Sequence, residues 1–414
     1  MNVAGDAVTE DRVRAFAREY GEPEWVTRRR LRALELLRDH APLPGGLVAV
    51  ETPAAAESLK APEEAAGEGR GAVDESEAAY AEVLGEITAR GVVMVPMAEA
   101  LRGNDLAAKW FGSLVPAEEG AAAALNAAVW SQGVFLYVPP GVEVEVPLQS
   151  EFLGFSEGEL EFGRHLIVAD RGSRVHFIEG CSAPVRTRRV LRAGVAEVVA
   201  LPGARVRYTA LQNLSRNVLN LSRKRAYVDE GASVEWVTML LGSRLTRSVP
   251  GAILAGRGAR VSVEAMALAS RGQEMEIGGE AEHRGPEGES TIHVRCIARD
   301  GGCVTHASSV RVQRGASQGR AAVRAETLLL DDRSTAEAEP VVEIRDADAS
   351  VSQEGGARRL DEDQVFYLTS RGLSRAEAAH LLLTSFLGLG RHLPPEYAVE
   401  FDRFVDDELR GAFG

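Results

Sequence analysis

The hydrophobic rhythm of the chain changes twice. Residues 8–40 place apolar side chains at helical spacing. In "EWVTRRRLRALELLRDH" Trp25, Leu31, Leu34 and Leu37 recur with arginines between them, which predicts an amphipathic helix. Residues 52–72 are small, polar and acidic and read as a flexible linker. A second helical stretch is expected over about 74–90. "GVVMVPMAEAL" reads as a short strand followed by a helix. The alanine-rich "AAAALNAAVW" at 121–130 reads as a buried helix, because small residues permit close approach while Leu125 and Trp130 fill gaps.

From Phe135 the period becomes two. A phrase recurs: turn residue, small residue, any residue, valine. It stands at Gly172 ("GSRVHFIE"), Gly203 ("GARVRYTA"), Gly231 ("GASVEWVT") and Gly258 ("GARVSVEA"), with weaker echoes at Gly288 and Gly315 and with Asp348 in the glycine place of "DASVSQ". Its spacing is 27–33 residues, the range of solenoid repeats. Glycine, or occasionally Asp, is expected to take a left-handed turn there. The following side chains alternate: Val175 and Phe177, Val206 and Tyr208, Val234 and Trp236, Val261 and Val263. Alternation means one inward face. Stacked coils that cover each other's sheet edges form a parallel β-helix; the competing reading is an antiparallel sandwich.

At 361 the rhythm returns to helical. Ser374 to Glu377 reads as a capping box. Leu381, Leu382, Leu383, Phe386 and Leu387 supply an apolar face, and Gly388 and Gly390 end the helix. A last amphipathic helix is expected with Tyr397, Phe401, Phe404, Val405 and Leu409 on one side. The domains expected are 1–130, mostly helical; 131–360, the β-helix core; and 361–414, helical. The end helices are expected to cap the solenoid.

Composition narrows the function. The 414 residues are 45% hydrophobic and 26% charged, with a net charge of −14, which repels phosphate backbones and argues against a nucleic-acid partner. No apolar run reaches membrane-spanning length. Three cysteines, Cys181, Cys296 and Cys303, argue against a disulfide framework and for a reducing, cytoplasmic setting; Cys181 is expected to be buried. None of the three lysines, Lys60, Lys109 and Lys224, follows a glycine, so no phosphate loop is present. "IHVRCIARDGGCVTH" places His293, Cys296, Cys303 and His306 at knuckle-like spacing, and all four are metal-ligand types. On strands, however, residues three apart face opposite sides, so core cysteines with surface histidines is the competing reading. A polysaccharide lyase or hydrolase would need grouped acids and an aromatic platform. Asp331-Asp332 and Glu337-Glu339 have no such platform beside them.

The segments "EPEWVTRRRLRALE", "AVWSQGVFLYVPPGVEVEVPLQ", "RHLIVADRGSRVHFIEG", "ETLLLDDRSTAEAEPVVEI" and "DEDQVFYLTSRGLSRAEAAHLLL" together resemble the SufB/SufD family of iron–sulfur cluster assembly scaffolds. The resemblance implies a right-handed parallel β-helix flanked by N- and C-terminal helical domains. It implies pairing through the β-helix with a SufB-type sister subunit or a second copy. It also implies docking of the SufC-type ABC ATPase on the C-terminal helices, with Phe366, Tyr367, Arg371 and Gly372 as candidate contacts. The family's cluster-building member carries a Cys at the place of Ala325 and a His-Glu pair at the place of Gln353-Glu354. A methyl cannot ligate iron and an amide is a poor ligand, so the chain resembles the SufD side more closely. It departs even there, because Gln353 replaces the usual His. The expectation is a non-catalytic scaffold with no firmly bound cofactor and a transient iron–sulfur cluster in the complex. Flavin, known in family complexes, is assigned no site by the sequence. The alternative is a stand-alone cluster or metal carrier using Glu354 and the His/Cys group.

Overall fold

Each recurrence of the turn phrase opens a strand, and that strand pairs in parallel with its counterpart one coil away. The computed structural model describes residues 9–39, 85–153, 162–182, 190–388 and 403. Its first sheet contains β2 (Val134–Val138), β4 (Arg164–Ala169), β6 (Val190–Ala200), β8 (Val218–Val228), β10 (Leu245–Ser248), β11 (Gly251–Leu254), β13 (Glu274–His283), β15 (Cys303–Val312), β17 (Thr335–Ala338) and β18 (Val341–Ile344). The second contains β3 (Leu148–Leu153), β5 (Arg174–Ser182), β7 (Arg205–Leu214), β9 (Ser233–Gly242), β12 (Arg260–Ala269), β14 (Glu289–Ala298), β16 (Arg320–Leu329) and β19 (Ser350–Arg359). The chain alternates between the sheets, so every coil donates a strand to each. Only β1 (Val93–Pro96) is antiparallel among the described strands, against β2. The fold is therefore the parallel β-helix, and the sandwich is excluded.

The coils stack in register. Val175, Val206, Val234 and Val261 stand side by side. Phe177, Tyr208 and Trp236 do the same, with successive ring centroids 5.4 and 5.0 Å apart. All of these are buried between the sheets. Gly172 has φ +66°, a conformation that costs a side chain with Cβ and not glycine; Gly203, Gly231, Gly258 and Gly315 are also at positive φ. Two turns depart from expectation. Glu287, not Gly288, takes the left-handed place at φ +60°, and Asp348 is not among the positive-φ residues.

The helical stretch expected over 8–40 is two helices, α1 (Glu10–Glu19) and α2 (Glu24–Asp39). Gly21 at φ +59° and Pro23 interrupt it, since proline has no N–H for a continuing helix. The strand-then-helix reading holds, with α3 (Met97–Ala100) following β1. After α4 (Asp105–Trp110), the alanine-rich segment forms α5 (Ala121–Val129). Residues 85–89 are helical. The linker 52–72, the rest of the 74–90 stretch, Gly390 and the last expected helix (apart from Arg403) lie outside the described residues, as does the side chain of Cys181.

Helices α2 and α5 cover the outer face of the first sheet, where Leu166, Leu191, Leu219 and Leu245 meet Leu34, Leu125 and Trp130. Polar contacts pin this layer. Glu197, on the outer side of β6, accepts hydrogen bonds from the backbone N–H groups of Gly112, Leu114 and Val115 at 2.8, 2.8 and 3.0 Å. It also pairs with Arg164 at 2.9 Å. Asn126 of α5 donates to the carbonyls of Gly163 and Ala193.

Helices α6 (Glu362–Ser370) and α7 (Arg375–Leu387) do not cap the last coil. Leu383 and Leu387 pack on the outer face of the second sheet against residues such as Met266, Ile297 and Leu328. The capping box forms as expected, and α7 ends at Gly388 in the left-handed conformation. Leu381 turns outward instead of joining the apolar face. Among the described residues no element closes the final coil: inward-facing Val342 and Ile344 are 41% and 48% exposed.

Candidate functional site

The open coil forms a mouth. β19 pairs with β16 so that Val323 is beside Gln353, Arg324 beside Glu354 and Ala325 beside Gly355. Val323 and Ala325 pack toward the interior, so alternation puts Gln353 on the inward side and Glu354 on the outward side with Arg324. A cavity of about 450 Å³ collects Ala325, Gln353 and Glu354 with His306, Ser308 and Glu337. The three positions singled out by sequence therefore meet at one place, although the adjacent Gln353 and Glu354 stand on opposite faces of their strand.

His306 enters this cavity from β15. One ring nitrogen, Nε2, lies 2.7 Å from the Thr327 hydroxyl, while Nδ1 has no hydrogen-bond partner. The Ser308 hydroxyl is likewise unpartnered. Both residues are 6% exposed. Burial lowers the His306 imidazole to a pKa of about 4, so it is neutral near pH 7.

The His/Cys group does not assemble. His293 is on the outer face, with its two nitrogens 3.5 Å from Glu264 and 3.4 Å from Glu326. Cys296 is fully buried in the interior, and burial pushes its thiol far above the usual range. Cys303 is exposed. Among the described residues no three His, Cys, Asp or Glu side chains are grouped to hold a metal ion. The physical reason is the strand period, which sends His293 and Cys296 to opposite faces. The reading of core cysteines with surface histidines also needs correction, because Cys303 faces solvent and His306 faces inward.

On the C-terminal helices, Phe366 and Tyr367 are 73% and 56% exposed; neither is packed into an end cap. Both are carried by α6, and the Arg371 guanidinium lies 5.2 Å from the Tyr367 ring centroid. Gly372, at φ +100°, turns the chain toward α7.

Sequence reasoning missed a buried polar network inside the solenoid. Glu179 accepts from Arg192 at 2.7 Å, Lys224 at 2.5 Å and the Tyr208 hydroxyl at 2.9 Å. Arg192 also reaches Asn220 at 3.2 Å, and Asn220 donates to Gln212. Burial alone would raise the Glu179 carboxyl, but Lys224 and Arg192 outweigh it and hold it well below the usual carboxylate range. The signal was present as parity: Glu179 lies two residues beyond inward Phe177, and Lys224 two before inward Ala226.

Comparison with known families and relatives agrees with this architecture over most of the chain. Residues 152–386 match the SUF system FeS cluster assembly SufBD core domain, and residues 77–150 match the SufBD protein N-terminal region. An iron–sulfur cluster assembly SufBD family protein of Staphylococcus aureus (strain MRSA252) is 40% identical over 342 residues, covering 82% of this chain and 74% of the relative. Its counterpart in Staphylococcus haemolyticus (strain JCSC1435) is 39% identical over the same lengths. With a core match spanning the stacked coils and α7 as well, the chain belongs to the SufBD family and to iron–sulfur cluster assembly.

Proposed function

We propose that this chain is a non-catalytic scaffold subunit of the SUF assembly complex. It pairs end to end with a SufB-type sister subunit, or with a second copy of itself, and carries a SufC-type ABC ATPase on its C-terminal helices. The observation that carries this reading is the uncapped coil. An edge strand such as β19 offers unpaired backbone donors and acceptors to another chain. In β18, on the other sheet of the same last coil, Val342 and Ile344 are exposed apolar side chains, the kind of surface that marks an interaction site. The methyl of Ala325 and the amide of Gln353 favour the SufD-like role, in which the cluster is cargo handled at the seam with the sister subunit. Phe366 and Tyr367 favour α6 as the ATPase contact.

Co-expression with the sister subunit and the ATPase, followed by light-scattering mass measurement, tests both contacts. Ile344→Asp should dissociate the solenoid pair while leaving the ATPase bound. Arg371→Glu should weaken the ATPase contact and leave the pair intact. A pair unaffected by a carboxylate at Ile344 would refute the end-to-end arrangement.

A further inference from the structure

Outward arginines of the solenoid commonly meet a glutamate in the next coil. Arg207 pairs in this way with Glu235, Arg247 with Glu276, Arg260 with Glu289 and Arg311 with Glu343, at 2.7–3.6 Å. Between β5 and β7 the pattern fails twice: Arg174 stands beside Arg205, and His176 beside Arg207. We infer that the groove running over these residues binds the phosphate groups of a small phosphorylated molecule, with Arg174 and Arg205 as principal contacts. Both arginines belong to the opposite end of the second sheet from β19, so the inference goes beyond the scaffold reading and does not depend on it.

The groove has a volume of about 680 Å³, within the range of small-molecule sites. Its floor is the backbone at Val175, Val206, Val234 and Val261, whose side chains turn into the core. Strand register fixes the order along one wall: Glu143, Arg174, Arg205, Ser233, Arg260, Glu289. Across the floor stand His176, Arg207 and Glu235. Arg207 and Arg260 are engaged by Glu235 and Glu289. Arg174 and Arg205 are exposed, and among the described residues neither has a carboxylate partner. His176 contributes no charge near pH 7: it lies 2.9 Å from the Thr209 hydroxyl, and burial with the Arg207 guanidinium lowers its pKa to about 4.

Like charges side by side on neighbouring strands destabilise a sheet, and an oxyanion seated between them removes the repulsion. Guanidinium groups present a planar fork of donors that matches phosphate oxygens, and the Ser233 hydroxyl beside Arg205 adds a further donor. The acids decide how long the ligand can be. From Arg174 to Arg260 is three strand spacings, roughly 14 Å. Glu143 and Glu145 mark one end of the groove and Glu289 the other. A long polyanion, whether a nucleic-acid strand or an acidic peptide, would run onto these carboxylates; a phosphate or diphosphate group does not.

Calorimetric titration of the full chain with pyrophosphate, at about 0.15 M salt so that loose counterions are screened, tests the inference. Wild type is expected to bind at one site. Arg174→Gln and Arg205→Gln should each weaken binding about tenfold or more, the worth of a hydrogen bond to a charged group. Arg247→Gln, on the other sheet, should change nothing. Arg205→Glu sets a carboxylate beside Arg174, as in the other coils; it should fold with a melting temperature no lower than wild type and bind no pyrophosphate. In histidine-labelled wild type, pyrophosphate should raise the His176 pKa from about 4, because the anion offsets Arg207; this locates the ligand without any variant. Absence of saturable binding in wild type, unaltered binding in folded Arg205→Gln, or an unmoved His176 pKa at saturation would overturn the inference. Tighter binding of a tetraglutamate peptide than of pyrophosphate would overturn it in favour of a protein ligand.

Discussion

Lys224 Nζ lies 2.5 Å from Glu179 Oε2 within the solenoid, and neither side chain is more than 6% exposed. Arg192 holds the other carboxylate oxygen, so one anion serves two buried cations. Removing one partner from a buried ion group is far more damaging than the group's net worth, because a charge is left without compensation. Glu179→Ala should therefore cost about 3–5 kcal/mol, measured by denaturant unfolding. A loss below about 1 kcal/mol, the range of an exposed pair, would mean that water reaches this interior.

Three inward histidines predict acid sensitivity. Burial lowers the pKa of His165, His283 and His306 to about 4 each. For His165 the nearby Glu179 opposes that shift, while Lys224 and Arg192 reinforce it. The unfolded chain holds such groups near 6.5. Between about 6.5 and 4 the unfolded state thus binds more protons, and folding stability falls as pH falls. The stabilisation is complete above about pH 6.5 and lost as pH drops through 4. Melting temperature measured from pH 7.5 down to 4 should decline, and His165→Gln should flatten the decline. A pH-independent melting temperature across that window would contradict the burial of these rings.

The coil architecture was legible because its cause is local. A turn residue at Gly172 and alternation through Val175 and Phe177 specify a stacked coil without reference to anything distant. The two-helix start was hidden because Gly21 and Pro23 break a pattern whose apolar spacing continues past them. The interior network was hidden for a different reason. Polar side chains such as Glu179 and Lys224 at inward parity read as outward until Glu179 is seen to pair with both Lys224 and Arg192, the latter from a neighbouring strand. The mouth was half legible: Ala325 and Gln353 come from late coils that sequence places together, whereas His306 reaches them from the opposite sheet. The open end was not legible, because the apolar positions of α7 say that it packs but not on which face.

Glycines in the solenoid divide by cause, and substitution separates them. Gly172 needs only its positive φ; a Cβ there would meet nothing within 4 Å. Gly172→Asn should be nearly neutral, since Asn tolerates the left-handed region. Gly278 lies in β13 with no positive φ, yet a Cβ there would overlap the carbonyl oxygen of Ala307 in the neighbouring coil. Gly278→Ala should force the strands apart and cost more than about 3 kcal/mol, at the upper end of overpacking. Comparable melting temperatures for the two variants would mean that the coils are not stacked this closely.

Glu197 decides whether the helical layer and the solenoid unfold together. Its two carboxylate oxygens receive three backbone N–H groups from residues 112–115 and the Arg164 guanidinium. Arg164 reaches back to the Val115 carbonyl and to Asn126 of α5. Glu197→Gln keeps the shape but removes the charge and replaces one acceptor oxygen with a donor NH₂, which faces N–H groups or Arg164. At least one buried donor is then unsatisfied, at about 1–3 kcal/mol each and more beside a charged group. Because the broken bonds belong to the 112–115 loop, the damage should be local before it is global. Hydrogen exchange should show lost protection at Gly112, Leu114 and Val115 and along α5, while amides of β12 and β14 keep theirs. Uniform loss across the solenoid would mean instead that the layer and the coils form a single cooperative unit.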